Sequence, residues 1–316
     1  MRYYPSHLTR FHDLPVHDFH APGDGPAPQL PAPASVAWRL TAEWEVPFEQ
    51  VWSRFLSDVR TEEVTALVVG AWWEEWDEHG INPVLDLLTA EAHRLPRLRA
   101  LFLADVESEE TEISWIRQGD AGRVLRVWPG LRELGLRGAE DLVLEPLRHT
   151  ELRTLRIESG GLPPAPVRAL AACDLPALRR LELWLGTAWY GGDCTAADVR
   201  TLVASLGTCP ELRHLGLRNS DIQDDIAAVV SAAPVVAGLE SLDLSMGVLS
   251  DEGGAALLTG QPLTHLRSLD LGHHFMSEEM TDRLREALEP HGVSLTLTPA
   301  RRRGHRPEQR YVAVGE

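Results

Sequence analysis

Residues 239–257 read Leu239-Glu-Ser-Leu242-Asp-Leu244-Ser-Met-Gly-Val-Leu249-Ser-Asp-Glu-Gly253-Gly-Ala-Ala-Leu257. Leucines occupy a first, a fourth and a sixth position, and a turn and a run of small residues follow. The fourth position recurs as Leu67, Leu101, Leu134, Leu155, Leu181, Leu215, Leu242, Leu269 and Leu295. The sixth reads Val69, Leu103, Leu136, Ile157, Leu183, Leu217, Leu244, Leu271 and Leu297. The first reads Val64, Leu98, Leu131, Leu152, Leu178, Leu212, Leu239 and Leu266, and fails only at Gly292. So many copies in series mark a repeat architecture. The fourth and sixth positions alternate with period two, so each copy is a short strand with one buried face. No copy buries that face alone. Stacking turns each column into a ladder, in which a fully buried leucine contributes about 1.5–3 kcal/mol.

Successive fourth positions lie 34, 33, 21, 26, 34, 27, 27 and 26 residues apart, and most intervals leave room for a helix. Val199, Leu202, Val203 and Leu206 share a helical face behind Thr195 and Asp198, which have capping-box spacing. Ile226, Val229, Val230 and Ala233 repeat the pattern, with Pro234 as a stop. Met280, Leu284 and Leu288 follow Ser277, a candidate cap. The 21-residue interval after Leu134 predicts an extended or single-turn return. The expected fold is an α/β solenoid. About nine short parallel strands would line its concave face, with helices or turns on the convex face.

The stretches Leu175-Pro-Ala-Leu178 through Trp184-Leu-Gly and Leu239 through Gly253 resemble the leucine-rich repeat superfamily, nearest the helix-backed type known from ribonuclease inhibitor. The chain is also similar to a group of bacterial cytoplasmic leucine-rich repeat proteins without an established biochemical role. The resemblance spans residues 60–298 and implies a horseshoe. It brings no catalytic residues. That type usually has Asn or Cys three residues after the sixth position. Gly247, Ser220 and His274 stand there in three late copies, so a different turn is expected.

Four zones follow. Residues 1–34 read as an extended His/Pro-rich arm and linker, with Ala21–Pro33 as the linker, and removing residues 1–20 is expected to leave the fold intact. Residues 35–63 hold the alternating Val36, Trp38 and Leu40, then a helix carrying Val51, Trp52 and Phe55, and read as a cap on the first leucine face. Residues 64–298 are the solenoid. Residues 299–316 read as a basic flexible tail, with Tyr311, Val312 and Val314 available as an edge strand.

Thirty basic residues against 47 acidic give a formal charge of −17, which argues against nucleic acid or an anionic membrane as partner. Every basic residue is Arg, so Schiff-base and P-loop chemistry, which need Lys, are excluded. Cys173, Cys194 and Cys209 show no paired spacing and fit a reducing compartment. With no apolar leader and no long apolar run, a cytoplasmic location is expected.

The third, fifth and seventh positions flank the leucines and point to the opposite face. There, Arg137, Arg156, Arg180 and Arg218 sit among Glu133, Glu158 and Glu182, beside Trp184. The set reads either as a solvated ladder of cross-strand ion pairs or as a partner surface with an Arg–Trp centre. Loops leaving the strands add Trp72, Trp73 and Trp76 in one place and Trp189 and Tyr190 in another. His12, His17 and His20 with Asp13 and Asp18, and His273 and His274 near Asp270 and Glu278, are metal-competent but match no zinc spacing. The acidic run Asp105–Glu112 lacks the spacing of a calcium loop. No G-x-S-x-G, H-E-x-x-H or G-K-[ST] occurs. The expected function is a non-catalytic protein–protein interaction module, a scaffold, adaptor or inhibitor with no cofactor. It would bind another protein through Arg137, Arg156, Arg180, Glu182, Trp184, Trp189, Tyr190, Arg218, Trp72 and Trp73. The alternative is an accessory protein that holds a metal or small molecule on the His-rich arm or at His273–His274. A third reading is an enzyme whose site assembles only in space.

Overall fold

In the computed structural model, which describes residues 5–20, 29–43, 45–73, 80–301 and 310–315, the fourth-position leucines stand opposite one another on neighbouring strands. The column runs in register from Leu67 through Leu101, Leu134, Leu155, Leu181, Leu215, Leu242 and Leu269 to Leu295. A one-residue slip would turn every leucine to the other face, so the pattern itself fixes the register.

The nine pattern segments form β4 (Ala66–Val69), β5 (Ala100–Leu103), β6 (Glu133–Arg137), β7 (Thr154–Glu158), β8 (Arg180–Gly186), β9 (His214–Ser220), β10 (Ser241–Asp243), β11 (Ser268–Asp270) and β12 (Ser294–Thr296). Three strands precede them: β1 (Arg10–Phe11), β2 (Leu14–Phe19) and β3 (Ala37–Leu40). All twelve join one sheet in chain order. Every pairing is parallel except the β1–β2 hairpin.

Helices fill the return paths: α1 (Phe48–Asp58), α2 (Asn82–Ala90), α3 (Arg123–Val127), α4 (Pro164–Ala171), α5 (Ala196–Ser205), α6 (Gln223–Ser231), α7 (Asp251–Thr259) and α8 (Glu278–Leu288). They pack their apolar faces on the leucine columns, and one continuous core runs from Phe19 to Val293. Helix α5 starts with a complete capping box, Thr195 and Asp198 each accepting the other's backbone N–H. Ser277 accepts from the Met280 amide to start α8, and Ser250 from the Glu252 amide to start α7. Pro234 opens a 3-10 turn after α6 has ended at Ser231. Between β6 and β7, where the interval is shortest, there is no helix.

Both ends differ from expectation. The amino-terminal arm is strand over Arg10–Phe11 and Leu14–Phe19, and β2 pairs in parallel with β3. The physical reason is alternation. Leu14 and Val16 point to one face, while His17 and Phe19 pack against Trp38 on the other. At the carboxyl end, residues 310–315 do not extend the sheet. They lie across the ends of β7 to β10, with Val314 fully buried. Most of the expected linker, 21–28, and 302–309 of the tail fall outside the described residues. Among the described residues no helix is long and apolar enough to cross a membrane.

Candidate functional site

The helices cover one face of the sheet. On the other, the amino-terminal hairpin covers the first strands: Leu8, Phe11, Leu14 and Val16 pack on Ala66, Val68, Ala100 and Phe102. The rings of Phe11 and Phe102 meet edge to face at 5.8 Å. Gly135, opposite Phe102, makes room for this ring, since a side chain there would collide with it. Asp105, fully buried, anchors the arm. It accepts from the Leu8 amide at 3.1 Å and pairs with Arg39 at 2.8 Å and Arg137 at 3.4 Å. His12 Nδ1 lies 2.9 Å from Glu133 Oε2. Beside the hairpin tip a cleft of about 400 Å³ stays open, lined among others by Arg10, His12, Asp13, Glu133, Thr154 and Arg156.

From β6 to β10 an ion-pair network crosses the same face. Arg137 Nε donates to Glu158 Oε2 at 2.8 Å, and Arg156 pairs with both Glu158 and Glu182. Glu182 also receives Arg180 and His214, the latter at 3.2 Å. Arg218 Nε reaches Asp243 at 3.1 Å and lies 5.5 Å from the Trp184 ring centre. Burial opposes ionisation of Glu158, yet Arg137 and Arg156 hold its carboxyl below the usual range. Glu182 is likewise desolvated, and His214, Arg180 and Arg156 hold its carboxyl well below that range. Burial also opposes the charge on Arg156, but Glu158 and Glu182 raise its pKa and keep it protonated. At the far end burial, with Asp243 nearby, pushes the Asp270 carboxyl up.

One line within this network has the form of a catalytic triad. Glu182 faces His214 Nε2, and His214 Nδ1 lies 2.7 Å from Ser241 Oγ. Acyl transfer also needs N–H donors for the developing oxyanion. The Ser241 amide is committed to the sheet, donating to the Arg213 carbonyl at 3.0 Å.

The sequence-predicted residues therefore separate. Arg156 and Arg180 are accessible on the open face, Arg180 with 46% of its side chain exposed. Arg218 is partly covered. Arg137, Glu182 and Trp184 are buried, which corrects their reading as surface contacts. Arg137 is enclosed by Glu158, Asp105 and the arm, and Glu182 by Arg156, Arg180 and His214. Trp184, only 4% exposed, is enclosed by Met246 and Val314. Trp72 and Trp73 touch edge to face at 4.7 Å and pack on the same cluster as Trp184, so they are half-buried wall rather than a free loop. Glu74–Asp77, with Trp76, fall outside the described residues. Trp189 is the opposite case, 88% exposed on the short turn Ala188–Tyr190. The turn is braced by Thr187 N–H to Gly160 and by Ala188 N–H to Asp221.

Among the described residues no three His, Cys, Asp or Glu side chains are placed to hold a metal ion. His12 pairs with Glu133, His20 with Glu43, and His17 stacks edgewise on Trp38. His273 packs on Tyr311, and His274 accepts from the Met276 amide. Asp105, from the acidic run, serves as the arm's anchor.

Sequence reasoning missed Asn219, Met246 and the carboxyl-terminal segment as parts of one structure. A usable signal existed. The residue after four of the seventh positions, Gly138, Asn219, Met246 and His273, takes a left-handed conformation, so Asn219 stands where the backbone favours Gly or Asn.

No family model matches the chain, and neither does any curated protein. Solved structures do match. One is a crystal structure of a Bacteroides fragilis protein, a target of the Northeast Structural Genomics Consortium. It superposes with a TM-score of 0.71 at 26% identity, over 84% of this chain and 72% of that one.

Proposed function

We propose that the chain is a leucine-rich repeat solenoid of the ribonuclease-inhibitor-like type, cytoplasmic and bacterial. Its open, concave face and strand-exit turns bind another protein without catalysis, as a scaffold, adaptor or inhibitor. The partner is neither nucleic acid nor membrane, consistent with the net charge of −17. One observation carries the reading: the amino-terminal hairpin covers only the first strands, while from β7 onward charged side chains stand fixed in ion pairs on the open face. Such groups lose little freedom on binding, so the surface is pre-organised. Arg156, Arg180 and Arg218 lie on three consecutive strands, about 10 Å across the sheet at roughly 4.8 Å per step, with Arg218 four residues further along than Arg180, about 13 Å at roughly 3.3 Å per residue. Trp189, held out on a braced turn beyond the carboxyl end of β8, is the aromatic anchor, a residue type enriched at interface hot spots. Affinity capture with tagged full-length protein tests this. Arg180→Ala and Trp189→Ala should each lose the captured protein while folding normally, and His20→Ala should retain it. Capture unchanged by both central substitutions would refute the reading.

A second reading rests on the Glu182–His214–Ser241 line. In it Ser241 Oγ attacks the carbonyl of an activated ester while His214 takes its proton and Glu182 stabilises the imidazolium; the acyl–oxygen bond then breaks and the alcohol leaves with the proton returned by His214. It ranks second because the Ser241 amide, bound to the Arg213 carbonyl, is not free to serve an oxyanion. A fluorophosphonate probe that labels Ser241, with labelling lost in His214→Ala, would reverse the order.

A further inference from the structure

The carboxyl-terminal segment 310–315 is held in the manner of a bound peptide. Its contacts are mostly to main-chain atoms. The fully buried Asn219 side chain closes a double hydrogen bond on one residue, accepting from the Val314 amide at 3.0 Å and donating to the Val314 carbonyl at 2.6 Å. The Ala313 amide donates to the Met246 carbonyl at 2.7 Å, and His273 Nε2 lies 2.9 Å from the Tyr311 carbonyl. Val312 and Val314 are buried and Tyr311 is half-buried. Val314 is fully buried with Trp184 and Met246, and the Tyr311 ring sits 5.1 Å from His273 and 5.6 Å from Phe275. Ahead of them Arg310 reaches Asp224 at 3.2 Å. Gly160 lacks the side chain that would collide with the Gly315 carbonyl.

We propose that this exit-edge groove is a peptide-binding site, and that residues 310–315 are its resident occupant in cis. The ligand it takes from a partner protein is an extended segment with a basic residue, an aromatic next to it, and a branched apolar residue three positions after the aromatic. The Tyr311 and Val314 pockets set the spacing, and Val312, also buried, adds a preference for an apolar residue between them. The buried Asn219 amide argues that the groove is occupied whenever the protein is folded. Empty, it would bare to water the apolar surface of Trp184 and Met246 that Val314 covers, and Asn219 would keep only its bond to the Ser159 carbonyl. Binding is therefore an exchange of one segment for another. This goes beyond the open-face reading and needs no captured protein to test.

The test uses full-length chains and a fluorescein-labelled peptide, RYVAVG, followed by polarisation. Val314→Asp places a charge in the apolar pocket and releases the resident segment, and Tyr311→Ala weakens it more mildly. Both variants should bind the peptide at least about tenfold more tightly than the wild-type chain, whose own segment competes at high effective concentration. Adding Asn219→Ala to either variant should weaken binding by about tenfold, and a peptide with Asp in place of its second Val should not bind. Equal binding to wild type and both variants, or binding to neither variant, overturns the proposal. So does a wild-type dimer in sedimentation that Val314→Asp dissociates, because the natural occupant would then be the segment of a second copy.

Discussion

Leu215 and His214 are neighbours in sequence on opposite faces of β9, and truncating each to Ala separates the leucine ladder from the charged face. Leu215 is fully buried between Leu181 and Leu242. Its truncation removes a buried isobutyl group's packing and leaves a cavity in a column that cannot collapse without moving both neighbouring strands. The cost is about 2–5 kcal/mol. Unfolding entropy of about 2.1 cal/mol/K per residue over 316 residues amounts to roughly 0.7 kcal/mol/K. The melting temperature should therefore fall by about 3–7 °C. His214 loses its bond to Ser241 and its contact with Glu182, but Arg180 and Arg156 still satisfy that carboxylate. Its truncation should cost about 1 kcal/mol, a shift of roughly 1–2 °C. Differential scanning calorimetry on both variants checks this. Equal shifts, or a larger shift for His214→Ala, would refute the assignment of faces.

Glu158 and Glu182 have folded pKa values below the ordinary 4.5. Their contribution is complete above about 4.5 and is lost as pH falls through the folded values, so the melting temperature should drop on going from pH 5 to pH 3. In Glu158→Gln that drop should shrink, and an unchanged slope would show that the network does not couple to folding. A chain lacking residues 1–20 should expose Phe102, Val68 and Ala66 and self-associate with raised dye binding, contrary to what the arm's composition suggests. A monomeric truncated chain with wild-type melting would refute the docking of the hairpin. Thr195→Ala removes one half of the α5 capping box and should cost about 1 kcal/mol in chemical denaturation. Cys194, its thiol pushed up to about 12 by burial, with Asp198 and Asp193 adding to the shift, should resist iodoacetamide at pH 8 until the chain is unfolded. Rapid native labelling by mass spectrometry would contradict its burial.

The leucine columns and helix starts were legible in the sequence because each rests on local spacing. Two positions fix a strand's faces, and Thr195 with Asp198 fixes a helix start. Burial at the seventh position was not legible, because period-two alternation ends where the strand ends. Arg137 and Trp184 point to the open face by parity, yet the arm lies over one and the carboxyl-terminal segment over the other. Neither cover is predictable locally. Asn219 meets Val314 across a separation of 95 residues, and His7 meets Asp105 across 98. The hairpin itself carried an alternation, Leu14, Val16 and Asp18 against His17 and Phe19, that its Pro, His and Asp content masked.

The strict chain order of the sheet has a consequence for synthesis. Each strand pairs with the one made just before it, so the core can lengthen as the chain emerges and no interior strand waits for a distant partner. The amino-terminal hairpin is the exception. Leu8 and Phe11 are made well before their partners, since Phe102 and Asp105 follow about a hundred residues later, and Glu133, which meets His12, comes 121 residues after it. At roughly 5–20 residues per second, the hairpin waits several seconds or longer with its apolar face uncovered, which makes it the segment of this sheet that most needs protection during translation.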